Sequence, residues 1–152
     1  MISAMIFMTG CINSVVNQIE VTVTGTVERG DPTATSRGTL YLTALREWRG
    51  EGDLRYPMLP IESTNIDGLG RYEWTFLVDT DRDEGLAIYG WLDEDDDGVL
   101  CRLDGATESA GLTVLDWNGI DYDLNADLTL DQDCVGAERL YSIQMNAADE
   151  TD

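Results

Sequence analysis

Asp93, Asp95 and Asp97 stand two residues apart in "LDEDDDGVLCRLD" (residues 92–104), and Gly98 follows at once. Alternate residues of a tight turn can aim at one centre, so three carboxylates at this spacing can build a hard oxygen cage for a divalent cation. A glycine after the third aspartate permits the sharp turn that such a cage needs. Without a cation the like charges repel, and the loop should be loose. The competing reading is a solvated turn that only reflects the acidity of the whole chain. A weaker copy, "DTDRDEG" (residues 79–85), repeats the spacing with Asp79, Asp81 and Asp83, but Glu84 takes the sixth place and Gly85 comes one residue late. The two stretches bracket the apolar "GLAIYGWL". Eight residues of straight strand span about 25 Å, so the two loops could not share one ion.

The first loop opens like an EF-hand calcium loop and, lacking helical patterns on either side, resembles the strand-flanked calcium loops of surface and dockerin-like modules. That resemblance implies a backbone carbonyl ligand at Val99, a water-mediated ligand near Cys101 and a carboxylate at Asp104. Aspartate stands there in place of the usual glutamate, and its shorter reach makes bidentate capture harder. Weak binding is therefore expected, at about 10⁻⁴ to 10⁻³ M, as in extracellular modules.

The chain carries a formal charge of -21 over 152 residues, with no histidine, and all nine of its positive charges are arginines. Such a surface repels nucleic acid and anionic membranes, so a nucleic-acid partner is not expected. The absence of histidine and lysine removes the commonest general base and all amine chemistry. Paired carboxylates could still hydrolyse a glycosidic bond, but thirty acidic residues make any such pairing uninformative. Acidity spread along the chain, without lysine, resembles the proteins of salt-loving organisms, where salt screens the self-repulsion.

Residues 1–8 are almost wholly apolar and lead into Thr9, Gly10 and Cys11. This resembles the end of a lipoprotein signal peptide, in which a small residue precedes a lipidated cysteine; the resemblance implies a lipid anchor at Cys11, although the positive n-region is missing. An extracytoplasmic protein would tend to join the remaining Cys101 and Cys134 in a disulfide. Closing a loop of about 33 residues would contribute about 3 to 4 kcal/mol in the chain-entropy model. The alternative is a pair of reduced, buried thiols.

The rest of the chain alternates with period two. In "QIEVTVTGTVE", Ile19, Val21, Val23 and Val27 face one way and Glu20, Thr22, Thr24, Thr26 and Glu28 the other; Gly25 suggests a bulge or a close backbone neighbour. "TLYLTALRE" and "RYEWTFLVD" follow the same rule. Residues 49–70 are irregular, with room for a short edge strand near the prolines. "GLAIYGWLD" is apolar on both faces, as a covered central strand would be. "GLTVLDW" is another strand, and Asn118-Gly119 signals a tight turn. "IDYDLNADLTLD" reads as one long strand with Ile120, Tyr122, Leu124, Ala126, Leu128 and Leu130 on its apolar face. "ERLYSIQM" reads as a last strand, with a short helix as the alternative.

These elements predict an all-β, antiparallel sandwich of about seven strands, immunoglobulin-like or transthyretin-like, with a closed barrel as the alternative. A terminal segment at 1–14, a single domain at 15–146 and an acidic tail at 147–152 are expected. "VTGTVERG", "GRYEWTFLV" and "GLAIYGWLDEDDDG" resemble the transthyretin-like (carboxypeptidase-regulatory-like) sandwiches of secreted and surface proteins. Members of that family are mostly accessory or binding modules, so the resemblance implies no catalytic residues. The expected function is a non-enzymatic binding or structural module in the periplasm or at the cell surface, with Ca²⁺ as its cofactor and an unidentified protein or polysaccharide partner. A carbohydrate-binding module is one alternative, and it requires tryptophans aligned on an exposed face. A small carboxylate-dependent hydrolase is another.

Overall fold

The computed structural model describes residues 18–34, 36–48, 58–79, 84–102, 107–115, 117, 119 and 121–149. Among them are nine strands and one helix: β1 (Gln18–Arg29), β2 (Thr39–Trp48), β3 (Leu59–Asp67), β4 (Gly70–Asp79), β5 (Glu84–Asp93), β6 (Ser109–Leu115), β7 (Asp123–Asn125), β8 (Leu128–Leu130), β9 (Gln132–Asp133) and α1 (Ala137–Asp149). One sheet has the order β4-β1-β7, with β8 also on β1; the other runs β3-β2-β5-β6-β9. The protein is thus an all-β sandwich. Pairing is antiparallel except for β7 and β8, which lie parallel to β1.

The period-two faces meet between the sheets. Val21, Val23 and Val27 of β1 and Tyr72, Trp74, Phe76 and Val78 of β4 are buried against Leu40 and Leu42 of β2 and Leu86, Ile88 and Leu92 of β5. Gly25 has a close backbone neighbour: a Cβ there would overlap the Ala126 carbonyl and lie 2.6 Å from its carbon. β3 is longer than the short strand expected between residues 49 and 70. Pro60 fits because β3 is a sheet edge and the pairing with β2 shifts register beside it, between Ala44 and Leu45.

Two readings are corrected. Residues 121–130 do not form one strand (Ile120 lies outside the described residues): β7 and β8 flank a break at Ala126–Asp127 opposite Gly25–Thr26. There the Ala126 N–H donates to Thr24 O (2.8 Å) and the Asp127 carboxylate accepts from Thr26 N–H (2.8 Å). Tyr122, assigned to the apolar face, is 58% exposed. The segment "ERLYSIQM" is helical. Ala137, Leu140, Tyr141 and Gln144 recur at the three- and four-residue spacing of one helix face. Leu140 is buried, Ala137 and Tyr141 pack beside it, and the Gln144 side chain donates to Leu112 O at 2.8 Å. Val135 joins this contact but Ile143 does not, being 42% exposed. The helix runs on through Asp149.

The helix explains why β5 is apolar on both faces. Ala87 and Tyr89 of β5, with Leu45, Ala110 and Leu112, form a second core on the outer face of the larger sheet, closed by Leu140. The Tyr89 hydroxyl donates to Val135 O at 3.1 Å, and Tyr141 donates to the buried Glu47 carboxylate. Asp93 and Glu108 lie at the end of this covered face.

Candidate metal centre

Asp93 is the last residue of β5. The β5–β6 register pairs Trp91 with Ala110 and Leu92 with Ser109, so the next rung sets Asp93 opposite Glu108. Both residues are 1% exposed. The turn between them returns Asp95 to the same place: one carboxylate oxygen from each of Asp93, Asp95 and Glu108 lies within 4.8 Å of the others.

The turn is held by its own side chains. Asp93 Oδ1 accepts from the Asp97 N–H at 3.1 Å, and Oδ2 accepts from the Gly98 N–H at 2.8 Å. Asp95 Oδ1 also accepts from the Asp97 N–H, at 3.2 Å. Asp96 and Gly98 take left-handed backbones, φ 57 and 73. Glycine does so without a Cβ penalty, which fits the sharp turn expected at that place, and aspartate tolerates it better than most residues. Glu108 Oε2 accepts from the Glu94 N–H at 3.0 Å. Burial pushes the Glu108 carboxyl above its ordinary range; the Glu94 N–H opposes this, and the charges of Glu94, Asp93 and Asp95 add to the rise.

Among the described residues, arginines meet the neighbours of the three clustered carboxylates. Arg29 pairs with Glu94 and donates to Ser109 Oγ at 2.9 Å, and Arg102 pairs with Asp97 at 2.7 Å. Such a trio is electrostatically costly when fully ionised and suits a divalent cation bound through oxygen.

Of the residues expected to ligate, the structure brings Asp93 and Asp95 together. Asp97 turns instead to Arg102 and to the Val99 N–H, which donates to its Oδ1 at 2.7 Å. Val99 itself is 41% exposed. Asp104 lies outside the described residues, as do Asp81, Asp83 and Cys11. Asp79 of the second loop ends β4, where it pairs with Arg46 at 3.2 Å and accepts from Gln18 Nε2 at 3.0 Å. Cys101 and Cys134 are joined in a disulfide, with Cα atoms 5.4 Å apart. Glu108 was not expected. Its only signal was hairpin register, and a strand begun at Gly111 stops short of it.

The tryptophans divide. Trp74 and Trp117 belong to the core between the sheets, and Trp91 is half-buried and stacks on Tyr41 with ring centroids 4.6 Å apart. The Trp48 side chain lies outside the described residues.

Compared with known families, curated proteins and solved structures, the chain matches no family model and shows no significant match to a curated protein or a solved structure.

Proposed function

We propose that this is a non-enzymatic, extracytoplasmic β-sandwich module with a weak calcium site, serving a binding or structural role. The observation that carries the reading is the convergence of Asp93, Asp95 and Glu108, two of them buried, at the end of a strand pair. Asp93, Asp95 and Glu108 are the protein ligands; water and backbone carbonyls complete the shell. Calcium is favoured over magnesium because it accepts an irregular set of oxygens, whereas magnesium demands near-ideal octahedral geometry. The disulfide supports a place outside the reducing cytoplasm. The small-residue approach to Cys11 supports a lipid anchor there. Backbone N–H groups on both Asp93 oxygens fix that carboxylate in place, and each oxygen keeps a lone pair for an ion.

Calorimetric titration in high sodium chloride tests the site. Salt screens diffuse attraction to the acidic surface but leaves a coordinated ion in place. Saturable heat with calcium and little with magnesium, lost in Asp95→Asn and in Glu108→Gln, is expected. Equal, unsaturating heats with both ions in all three proteins would reject it.

A further inference from the structure

Glu108 is held from both sides. Asp93 of β5 stands on one flank. On the other, the β6–β9 register pairs Ser109 with Asp133, so the following rung sets Cys134 beside Glu108, and the Cys134 N–H donates to Glu108 O at 2.9 Å. One residue earlier, Thr107 forms an isolated antiparallel bridge with Cys101. The Cys101–Cys134 disulfide therefore straps the Thr107–Glu108 segment between the exit of the aspartate turn and the end of β9. Cys134 also holds a left-handed backbone, φ 60, which a residue with a Cβ does not favour. The strap is reachable: Cys134 is exposed and Cys101 half-buried.

From this we infer that the disulfide is a redox latch on the carboxylate cluster. Cut free, Cys134 relaxes out of its left-handed conformation, its N–H bond to the Glu108 carbonyl is lost, and the Thr107–Glu108 segment keeps only its β5 side, so Glu108 is held less tightly opposite Asp93. The effect on calcium rests on the cation reading above; the loosening of the segment does not. A dithiol supplies the two electrons. One reductant thiolate attacks the exposed Cys134 sulfur, and Cys101 leaves as a thiolate and takes up a proton. The second reductant thiol, deprotonated, closes on the first to form a cyclic disulfide, and Cys134 departs and is protonated. Linkage makes the coupling reciprocal: reduction weakens calcium binding, and calcium stabilises the oxidised form against the reductant by the same factor.

The test compares the oxidised full chain, the same chain reduced with a dithiol, and the Cys101→Ser/Cys134→Ser double variant. Amide hydrogen exchange is measured in chelator, and calcium titrations are run at high sodium chloride. On opening the latch, exchange at the Asp97, Gly98 and Cys134 amides should speed up about tenfold or more, while Val21 and Trp74 on the distant β1–β4 pair stay protected. Calcium affinity should fall about tenfold, within the usual span of such couplings. Reduced wild-type protein gives the comparison if the double variant does not fold. Equal exchange rates in oxidised and open forms would overturn the latch, as would measurable calcium binding of equal affinity in both. Faster exchange with no calcium binding in any form would uphold the latch and overturn the cation site.

Discussion

Asp93 and Glu108 face each other one rung beyond the Leu92–Ser109 pair, both buried, at the end of a ladder whose preceding rungs on the same face are apolar. A carboxylate pair there opposes the fold unless something offsets its charge. Glu108→Gln should therefore raise the stability of the calcium-free protein, on the order of 1 kcal/mol, because it removes the like charge and keeps an oxygen for the Glu94 N–H. Urea denaturation in chelator checks the direction. In about 10 mM calcium the order should reverse: a Kd of about 10⁻⁴ to 10⁻³ M would stabilise the wild type by about 1.4 to 2.7 kcal/mol, and the variant by little.

Gly25 of β1 lies against the Ala126 carbonyl, which also accepts the Tyr72 hydroxyl at 2.7 Å. Gly25→Ala should push β7 and β8 off β1 and cost about 2 to 3 kcal/mol, the scale of overpacking a well-filled interior. Tyr72→Phe removes the hydroxyl and leaves the carbonyl short of a donor, at about 1 to 2 kcal/mol. Denaturation midpoints of the two variants and their double should show that the effects do not add, because the residues meet at one carbonyl.

Two buried tyrosines set an alkaline limit. Burial pushes the Tyr89 hydroxyl up to about 12, and Tyr72 rises further, first through burial and then through the charge of Asp127. Both native-state values lie above that of the unfolded chain, so the folded protein holds these protons more tightly. Their contribution is complete below pH 10, the ordinary tyrosine value, and is lost as pH rises through about 12 and beyond. Phenolate absorbance should show the last tyrosines, Tyr89 and Tyr72, ionising together with loss of the β signal.

Leu140 of α1 is set deep into the outer core of the larger sheet, at 3% exposure. Leu140→Ala should cost about 2 to 4 kcal/mol. If α1 is a lid on that sheet, the variant should also expose the apolar face of Ala87, Tyr89, Ala110 and Leu112. Increased binding of a hydrophobic dye before the main unfolding transition is the measurement that reports it.

Strand identity was legible in the sequence because it depends on neighbours two residues apart. Val21 and Val23 alternate with threonines, and Tyr72, Trp74 and Phe76 alternate with charged or hydroxyl residues, so each strand declares its buried face before it has a partner. Gly25 suggested a bulge or a close backbone, and the second is what it has; the DxDxDG spacing suggested a turn that gathers carboxylates or one that is merely solvated, and it brings Asp93 and Asp95 together. Cys101 and Cys134 were the pair left once Cys11 was assigned elsewhere.

Register, sheet membership and coverage are long-range properties, and these the tertiary structure decided. Residues 120–130 alternate as one strand in the sequence, yet residues 123–125 and 128–130 follow β1 in parallel with a break between them, where Gly25 lets Ala126 come close. Residues 137–144 carry apolar groups that suit either period; the uncovered outer face of β5 and β6 selects the helix, because only a helix brings Leu140 and Tyr141 onto it together. Glu108 is one acidic residue among thirty in the sequence. It becomes a partner of Asp93 only because β5 and β6 pair in this register, and a shift of one residue would turn its side chain to the opposite face of the sheet.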